Sequence, residues 1–349
     1  MIKLSIEQKD VCQKIIKNVG TKEYLCLGGY AGTGKTTIIQ HIRQALPRFA
    51  VCAFTGKAAN ILRKKNISDA STIHSLIYEA KEIDGKIHFE LAESLPFDGI
   101  IVDEASMVSS MLYNDLLYFK KPIIFVGDHG QLEPVGEDVY LMKDPDYRLE
   151  TIHRNAGEIA HFAEFVRKGF RAAAFEFRNP KKIEFVKQRD VAFNKSLPVD
   201  QIICAFNKTR VEINRSYRDA MEIKSDWPIV GDRIICLRNN RKTGLFNGQQ
   251  GIVNAIDKKP KNNLTFETDD FLIQTKFDPK AFHKEKRDSD YNRDDPDPFD
   301  YAYAITCHKA QGDEFDNVMV LEQKCNGWDH RRWTYTAASR AREKLIWVT

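Results

Sequence analysis

Gly28-Gly29-Tyr30-Ala31-Gly32-Thr33-Gly34-Lys35-Thr36 is the stretch from which the rest of the chain is read. From Gly29 it fits G-x-x-x-x-G-K-[ST] without a mismatch. Tyr24-Leu25-Cys26-Leu27 before it reads as a short apolar strand, and Thr37 to Ala45 after it reads as a helix, with Ile38, Ile39 and Ile42 at helical spacing. Strand, glycine-rich loop and helix in that order form a phosphate cradle. The glycines let the backbone wrap an anion, and loop N–H groups and the helix N-terminus point at it. Lys35 is expected on the β- and γ-phosphates, and the Thr36 hydroxyl on Mg²⁺.

Working outward, Ser5 to Val19 reads as a helix capped by Ser5, with Val11, Ile15 and Ile16 as its apolar stripe. Gln8 carries an amide that can both donate to and accept from an adenine edge. Phe49 to Phe54 is a second buried strand, followed by Thr55-Gly56-Lys57 at a helix start, and Ser71-Thr72-Ile73-His74 repeats the hydroxyl theme. Ile83-Asp84-Gly85-Lys86-Ile87-His88-Phe89 alternates around an Asp-Gly pair, which predicts a protruding hairpin.

Gly99-Ile100-Ile101-Val102 leads into Asp103-Glu104, and Pro122 to Val126 leads into Gly127-Asp128-His129-Gly130-Gln131. Carboxylates at the end of an apolar strand belong beside the phosphate loop of an open parallel sheet. Asp103 is expected to hold Mg²⁺, Glu104 to orient and deprotonate the attacking water, and Gln131 to sense the γ-phosphate.

Composition sets bounds on the rest. The chain has 349 residues, 42% hydrophobic and 29% charged, and a net charge of +4, the profile of an ordinary globular protein of two or three domains. No apolar run has the roughly 18 residues of a membrane helix, and Met1 to Asp10 lacks the apolar core of a secretory signal. The seven cysteines have no C-x-x-C spacing, which argues against a zinc or disulfide framework and fits a reducing cytoplasm. Any basic surface for nucleic acid must be local.

The motifs Gly-Gly-Tyr-Ala-Gly-Thr-Gly-Lys-Thr, Phe-Thr-Gly-Lys-Ala-Ala, Asp-Glu-Ala-Ser-Met and Gly-Asp-x-x-Gln-Leu-x-Pro-Val, in that order, resemble those of superfamily 1 DNA helicases. The RecD/Dda branch, which moves 5′→3′, is the best match. Leu149 to Arg154 resembles the motif whose arginine reaches the γ-phosphate, with His153 where an adenine-stacking aromatic is common. Ala205 to Arg210 resembles a second-domain motif on the DNA backbone. Tyr303 to Phe315 resembles T-x-H-K-x-Q-G, and Tyr335 to Arg342 the final motif with its arginine finger.

That resemblance implies an α/β fold. Two RecA-like P-loop domains with parallel sheets are expected at 1–148 and at 149–225 plus 300–349. A small SH3-like β-barrel insert is expected at 226–299, and a β-hairpin pin at 81–95. Short alternating runs at 230–237, 248–256 and 271–274 support the barrel, and 284–300, with Pro296 and Pro298, reads as a return linker.

The resemblance assigns catalysis to Lys35, Asp103, Glu104, Gln131, Arg154 and Arg340. ATP would be held by Gln8, Gly29, Tyr30, Ala31, Gly32, Thr33, Gly34, Lys35, Thr36, Thr37, His153, Gly312 and Glu314, with Mg²⁺ on Thr36 and Asp103. DNA would be held by Phe54, Thr55, Lys57, Thr72, His74, Asn207, Thr209, Thr306, His308 and Lys309, and strands separated by Phe89. The basic loop Arg238 to Gly244 offers a further backbone track. ATP and Mg²⁺ are the implied cofactors. Single-stranded DNA and single/double-strand junctions are the implied partners, beside a single-strand-binding protein or replisome and recombination proteins. The chain is expected to act as a cytoplasmic monomer without membrane contact. Two other readings stand beside this one: a DNA-stimulated ATPase subunit of a larger repair complex, and a P-loop kinase.

Overall fold

In this computed structural model the described residues are 4–83, 86–133, 141–153, 157–193, 197–238, 240, 243–245, 247–257, 262–268, 272–285, 296–324 and 327–349. Helix α1 (Ile6–Asn18) starts at a capping box. The Ser5 hydroxyl accepts the Gln8 N–H, and the Gln8 amide oxygen accepts the Ser5 N–H. Strand β1 (Tyr24–Gly29) ends at the phosphate loop, and α2 (Lys35–Ala45) leaves it with Ile38, Ile39 and Ile42 fully buried. Each of those isoleucines contributes about 2 kcal/mol of apolar burial.

The chain continues through β2 (Phe49–Ala53), α3 (Gly56–Lys64), β3 (Ser71–Thr72) and α4 (Ile73–Ile77). The hairpin β4 (Tyr78–Ile83) and β5 (Lys86–Leu91) follows, with Tyr78 opposite Leu91 and Ile83 opposite Lys86. Its turn, Asp84-Gly85, lies outside the described residues. Then come β6 (Gly99–Asp103), α5 (Ser110–Leu117), β7 (Ile123–Gly127) and β8 (Tyr147–Leu149).

The first sheet has the order β3-β2-β6-β7-β1-β8, and each neighbouring pair is parallel. Strands β1, β2, β6 and β7 are buried almost throughout, as strands covered on both faces must be. Their carboxyl ends, on one edge of the sheet, carry Gly29, Thr55, Asp103 and Asp128.

Helix α6 (Glu158–Arg167) and β9 (Ile183–Val186) open the second half. Strand β10 (Gln201–Cys204) and α7 (Asn207–Ala220) lead into β11 (Arg233–Cys236), β12 (Gln250–Asp257), β13 (Asn263–Glu267), β14 (Leu272–Asp278) and β15 (Asp297–Tyr301). These five strands close a barrel. The chain ends with β16 (Ala304–Thr306), β17 (Phe315–Leu321), α8 (His330–Ala338) and β18 (Ala341–Val348). The second sheet, β16-β10-β17-β18-β9, is also wholly parallel.

One sequence expectation is corrected here. The stretch 284–300 reads as a linker, yet Asp297–Tyr301 is a barrel strand that pairs with both β11 and β14. Pro298 fits because its carbonyl accepts the Leu237 N–H and no donor is asked of its nitrogen. Asp297 and Asp300 look like linker charge but are buried against Arg238 and Arg210. Residues 286–295 of that stretch lie outside the described residues.

Helix α7 carries its polar stripe inward. Arg210, Asn214 and Arg218, four residues apart, are buried. Arg210 pairs with Asp300. Asn214 accepts the Ala304 N–H and donates to the carbonyls of Tyr301 and Ala304. Arg218 pairs with Asp232 at 3.3 Å and lies 4.1 Å from the Tyr301 ring centroid. These bonds fasten the barrel to the second sheet.

Candidate functional site

The loop from Gly29 to Thr36 curls over the end of β1. A Cβ on Gly29 would lie 2.8 Å from Thr33 Oγ1 and 3.2 Å from Leu149 Cβ, so only glycine lets the loop close this tightly. Gly34 starts α2 at a φ of 83°, in the left-handed region. The Lys35 amine donates to the carbonyls of Gly29 at 2.8 Å and Tyr30 at 3.2 Å, and stands 3.8 Å from Asp128. Thr36 and Thr37 open α2 beside it.

At the end of β6 the Asp103 carboxylate accepts the Glu104 N–H at 3.0 Å. Glu104 has a φ of 54°, a conformation that costs a non-glycine residue about 1 kcal/mol or more and that clusters at active sites. Among the described residues Glu104 Oε2 is buried without a hydrogen-bond partner, and so are Gln131 Oε1 and Ser106 Oγ. Burial, and then the neighbouring Asp103, raise the Glu104 carboxyl to about 7, against the pull of Arg340 and Lys35. Burial also raises Asp103, with Lys35 opposing. A carboxylate poised near neutrality, beside unsatisfied polar atoms, suits a general base for water.

Arg340 comes from the other half of the chain, just after α8, and is 3% exposed. Its guanidinium donates to the carbonyls of Thr336 at 3.0 Å and Asp313 at 3.1 Å, and to Ser339 Oγ at 2.9 Å. A guanidinium has five N–H groups, so two remain, one on each terminal nitrogen. Gly312, at a φ of 76°, packs on Met107, and its carbonyl accepts the Thr55 hydroxyl across the cleft at 3.4 Å. Glu314 lies close enough to add a further negative potential at both carboxylates. Arg154 lies outside the described residues.

Sequence reasoning missed much of what joins the two halves. Tyr335 Oη donates to Asp128 at 2.5 Å and accepts the Ala31 N–H at 2.7 Å. Thr336 Oγ1 accepts the Leu132 N–H, and Arg332 donates to the Gln131 carbonyl. Gln311 donates to the Leu132 carbonyl at 2.7 Å, and the Arg167 guanidinium lies 3.8 Å from the Tyr30 ring centroid. Tyr335 and Gln311 sit inside motifs that the sequence displays. Arg167 and Arg332 carry no local signal, being two arginines among many.

Gln8 and His153 do meet beside the loop. Gln8 Nε2 is 2.9 Å from the Thr33 carbonyl and 2.8 Å from His153 Nε2, while its amide oxygen serves the α1 capping box. The amide expected to face a base is therefore engaged within the protein.

The residues expected to hold DNA gather at the carboxyl ends of both sheets. Thr55 and Thr72 cap α3 and α4 with their hydroxyls, and the His74 ring tilts against Tyr78. Phe54 is half-buried against the first core, and the Lys57 side chain lies outside what is described. Asn207 opens α7, the Thr209 hydroxyl accepts the Gln323 amide at 2.8 Å, and Thr306 ends β16. Lys309 pairs with Asn247. His308, held below its ordinary value by burial and by Lys309, sits edge-on to Trp328, which stacks on Phe206 at 5.6 Å. This aromatic pair was not foreseen.

Phe89 lies on β5 opposite Ala80, half-buried on the first core, with Gly244 of the barrel loop against its ring. In that loop Arg238 pairs with Asp297, and Asn239, Arg241 and Lys242 lie outside the described residues.

The residues present fit a nucleoside triphosphate: a glycine cradle too tight for a Cβ, a lysine on loop carbonyls, and orphaned acceptors on Glu104 and Gln131. Thr36 and Asp103 fit Mg²⁺. Among the described residues no three His, Cys, Asp or Glu side chains gather into a metal cage.

Comparison with known proteins follows the same division. The AAA domain family model matches residues 3–188, and the UvrD-like helicase C-terminal domain matches residues 301–348. The RecBCD enzyme subunit RecD of Buchnera aphidicola subsp. Acyrthosiphon pisum is 32% identical over 453 residues, covering 98% of this chain and 71% of that protein. The ATP-dependent RecD2 DNA helicase of Deinococcus radiodurans is 26% identical over 98% of this chain, which spans 48% of its length. Among solved structures, Bacteroides Pif1 bound to ssDNA shares the fold at a TM-score of 0.57 and 18% identity, covering 99% of this chain and 92% of that one.

Proposed function

Because the chain belongs to the RecD family of superfamily 1 helicases, we propose that it is an ATP-driven motor that moves 5′→3′ along single-stranded DNA and opens duplex at a junction. One observation carries the reading. The residues assigned to ATP are divided between the sheets: the phosphate loop, Glu104 and Gln131 follow strands of the first, and Arg340 precedes a strand of the second. Hydrolysis in such a cleft depends on how the two sheets approach, and this ties chemistry to motion.

Bound ATP would supply the γ-phosphoryl group transferred to water, with ADP as the leaving group and Mg²⁺ offsetting the phosphate charge. Lys35 leaves the Gly29 and Tyr30 carbonyls for phosphate oxygens. Glu104 orients the water and takes its proton, Gln131 places its free amide oxygen on that water, and the two spare N–H groups of Arg340 face the phosphate. Thr36 and Asp103 would hold the metal, and Gln8 and His153 would border the base.

DNA crosses the carboxyl ends of both sheets, on the hydroxyls of Thr55, Thr72 and Thr306 and on Asn207, with bases on the aromatic faces of Phe54, Phe206 and Trp328. The five-stranded barrel serves as the SH3-like element, and Phe89 braces the pin hairpin that meets the duplex. The protein works in the cytoplasm, as a monomer or beside single-strand-binding and recombination proteins.

A second reading has its own observation: the 32%-identical relative is named as a subunit of the RecBCD enzyme. It could then serve as the DNA-stimulated ATPase part of a larger assembly. Duplexes with a 5′ or a 3′ single-stranded tail separate the outcomes. The motor reading predicts ATP-dependent displacement from the 5′-tailed substrate. Displacement from the 3′ tail alone refutes the direction, and DNA-stimulated hydrolysis without displacement supports the subunit.

A further inference from the structure

We propose that Tyr335 is a positioning residue for ATP hydrolysis: its hydroxyl ties the phosphate loop to α8 and so fixes where Arg340 stands. The proposal rests on the ATPase reading above. Tyr335 is fully buried. Its hydroxyl makes two bonds across the cleft, accepting from the Ala31 N–H of the phosphate loop and donating to Asp128. Bonds to a charged group in a buried site are the strong ones. Burial and Asp128 hold the phenol protonated well beyond neutral pH, so it remains a donor.

Asp128 is in turn fixed. Its second oxygen accepts the Gly130 N–H at 2.9 Å, and Lys35 Nζ is 3.8 Å away. When Lys35 turns to a phosphate, the charge beside Asp128 changes, and Tyr335 is the group of the other half that is bonded to Asp128. Arg332 and Thr336 lie on the same face of α8 and hold the backbone of Gln131 and Leu132. The Arg340 guanidinium is anchored on the Thr336 carbonyl. A shift of this helix face therefore moves Arg340 and the Gln131 loop together.

Both bonds of the hydroxyl are to protein groups, so its loss should lower kcat and spare the KM for ATP. The test is Tyr335→Phe, which keeps the ring, assayed for hydrolysis with single-stranded DNA, for DNA affinity and for thermal unfolding. A fall in kcat of about tenfold or more, with KM and DNA affinity near wild type and Tm lowered by only the few degrees that the loss of buried hydrogen bonds entails, is the expected result. Unchanged kcat overturns the proposal, and so does a fall in which KM rises in step or the variant is already unfolding at the assay temperature, because either assigns the residue a merely structural role. Thr336→Val, which deletes the acceptor of the Leu132 N–H, is expected to show the same kcat-only loss. It decides the matter if Tyr335→Phe does not fold. Wild type hydrolysing ATP at one rate with and without DNA would instead sink the motor reading itself.

Discussion

Arg340 lies buried close to Glu104, and its charge opposes the rise that burial imposes on the Glu104 carboxyl. The two residues are 236 positions apart and belong to different sheets, so they share an electrostatic environment only when the cleft is assembled.

Replacing Arg340 with Ala is expected to lower DNA-stimulated kcat by about a thousandfold, the scale typical of an arginine finger. Arg340→Lys should recover little, because one ammonium cannot serve Thr336, Asp313 and a phosphate together. Steady-state hydrolysis beside ATP binding measures this. A loss confined to binding would assign Arg340 to the ground state instead.

The Glu104 carboxyl carries a stability prediction whose sign follows from its raised value. Unfolded, the group ionises near 4.5; folded, it does so near 7. The folded state holds the proton more tightly, so stability falls as pH rises from about 4.5 to 7 and then levels off. In metal-free buffer, Glu104→Gln should be more stable than wild type at pH 8 by about 3 kcal/mol, read as a higher unfolding temperature. The gain should vanish near pH 4.5. An equal gain at both pH values would show that the carboxyl is not the cause.

Arg218 and Asp232 are both buried, and Asp232 also accepts the Tyr303 hydroxyl at 2.7 Å. Asp232→Ala leaves a charge and a phenol without their acceptor, and should destabilise the second half by about 3–5 kcal/mol. Denaturant unfolding reads this directly. A change below about 1 kcal/mol, the size of a surface pair, would mean that the pair does not fasten the barrel.

Phe89→Ala removes the ring that packs against Gly244 and should weaken the hairpin's brace. Strand displacement is expected to fall severalfold while DNA-stimulated hydrolysis stays near wild type. If both fall together, or neither does, the hairpin is not a pin.

What was legible in the sequence was what is local. The phosphate loop, its strand and its helix lie within Tyr24 to Ala45, and the carboxylate pair follows its own strand. The barrel strand Asp297–Tyr301 was hidden because its aspartates and proline look like solvent-facing linker, and only partners 57 to 90 residues away turn them inward. The buried face of α7 was hidden for the same reason. The Tyr335–Ala31 bond spans 304 residues, and no spacing rule reaches that far. Gln8 shows the converse: its amide chemistry suggested a base, while Ser5-x-x-Gln8 is also a capping box, and the local use is the one its oxygen makes.

The measurement that tests the central claim most directly is the steady-state ATPase rate with and without single-stranded DNA, beside Lys35→Ala and Glu104→Gln. The account predicts strong stimulation by DNA, abolished by either substitution. Hydrolysis at the same rate with and without DNA would contradict it.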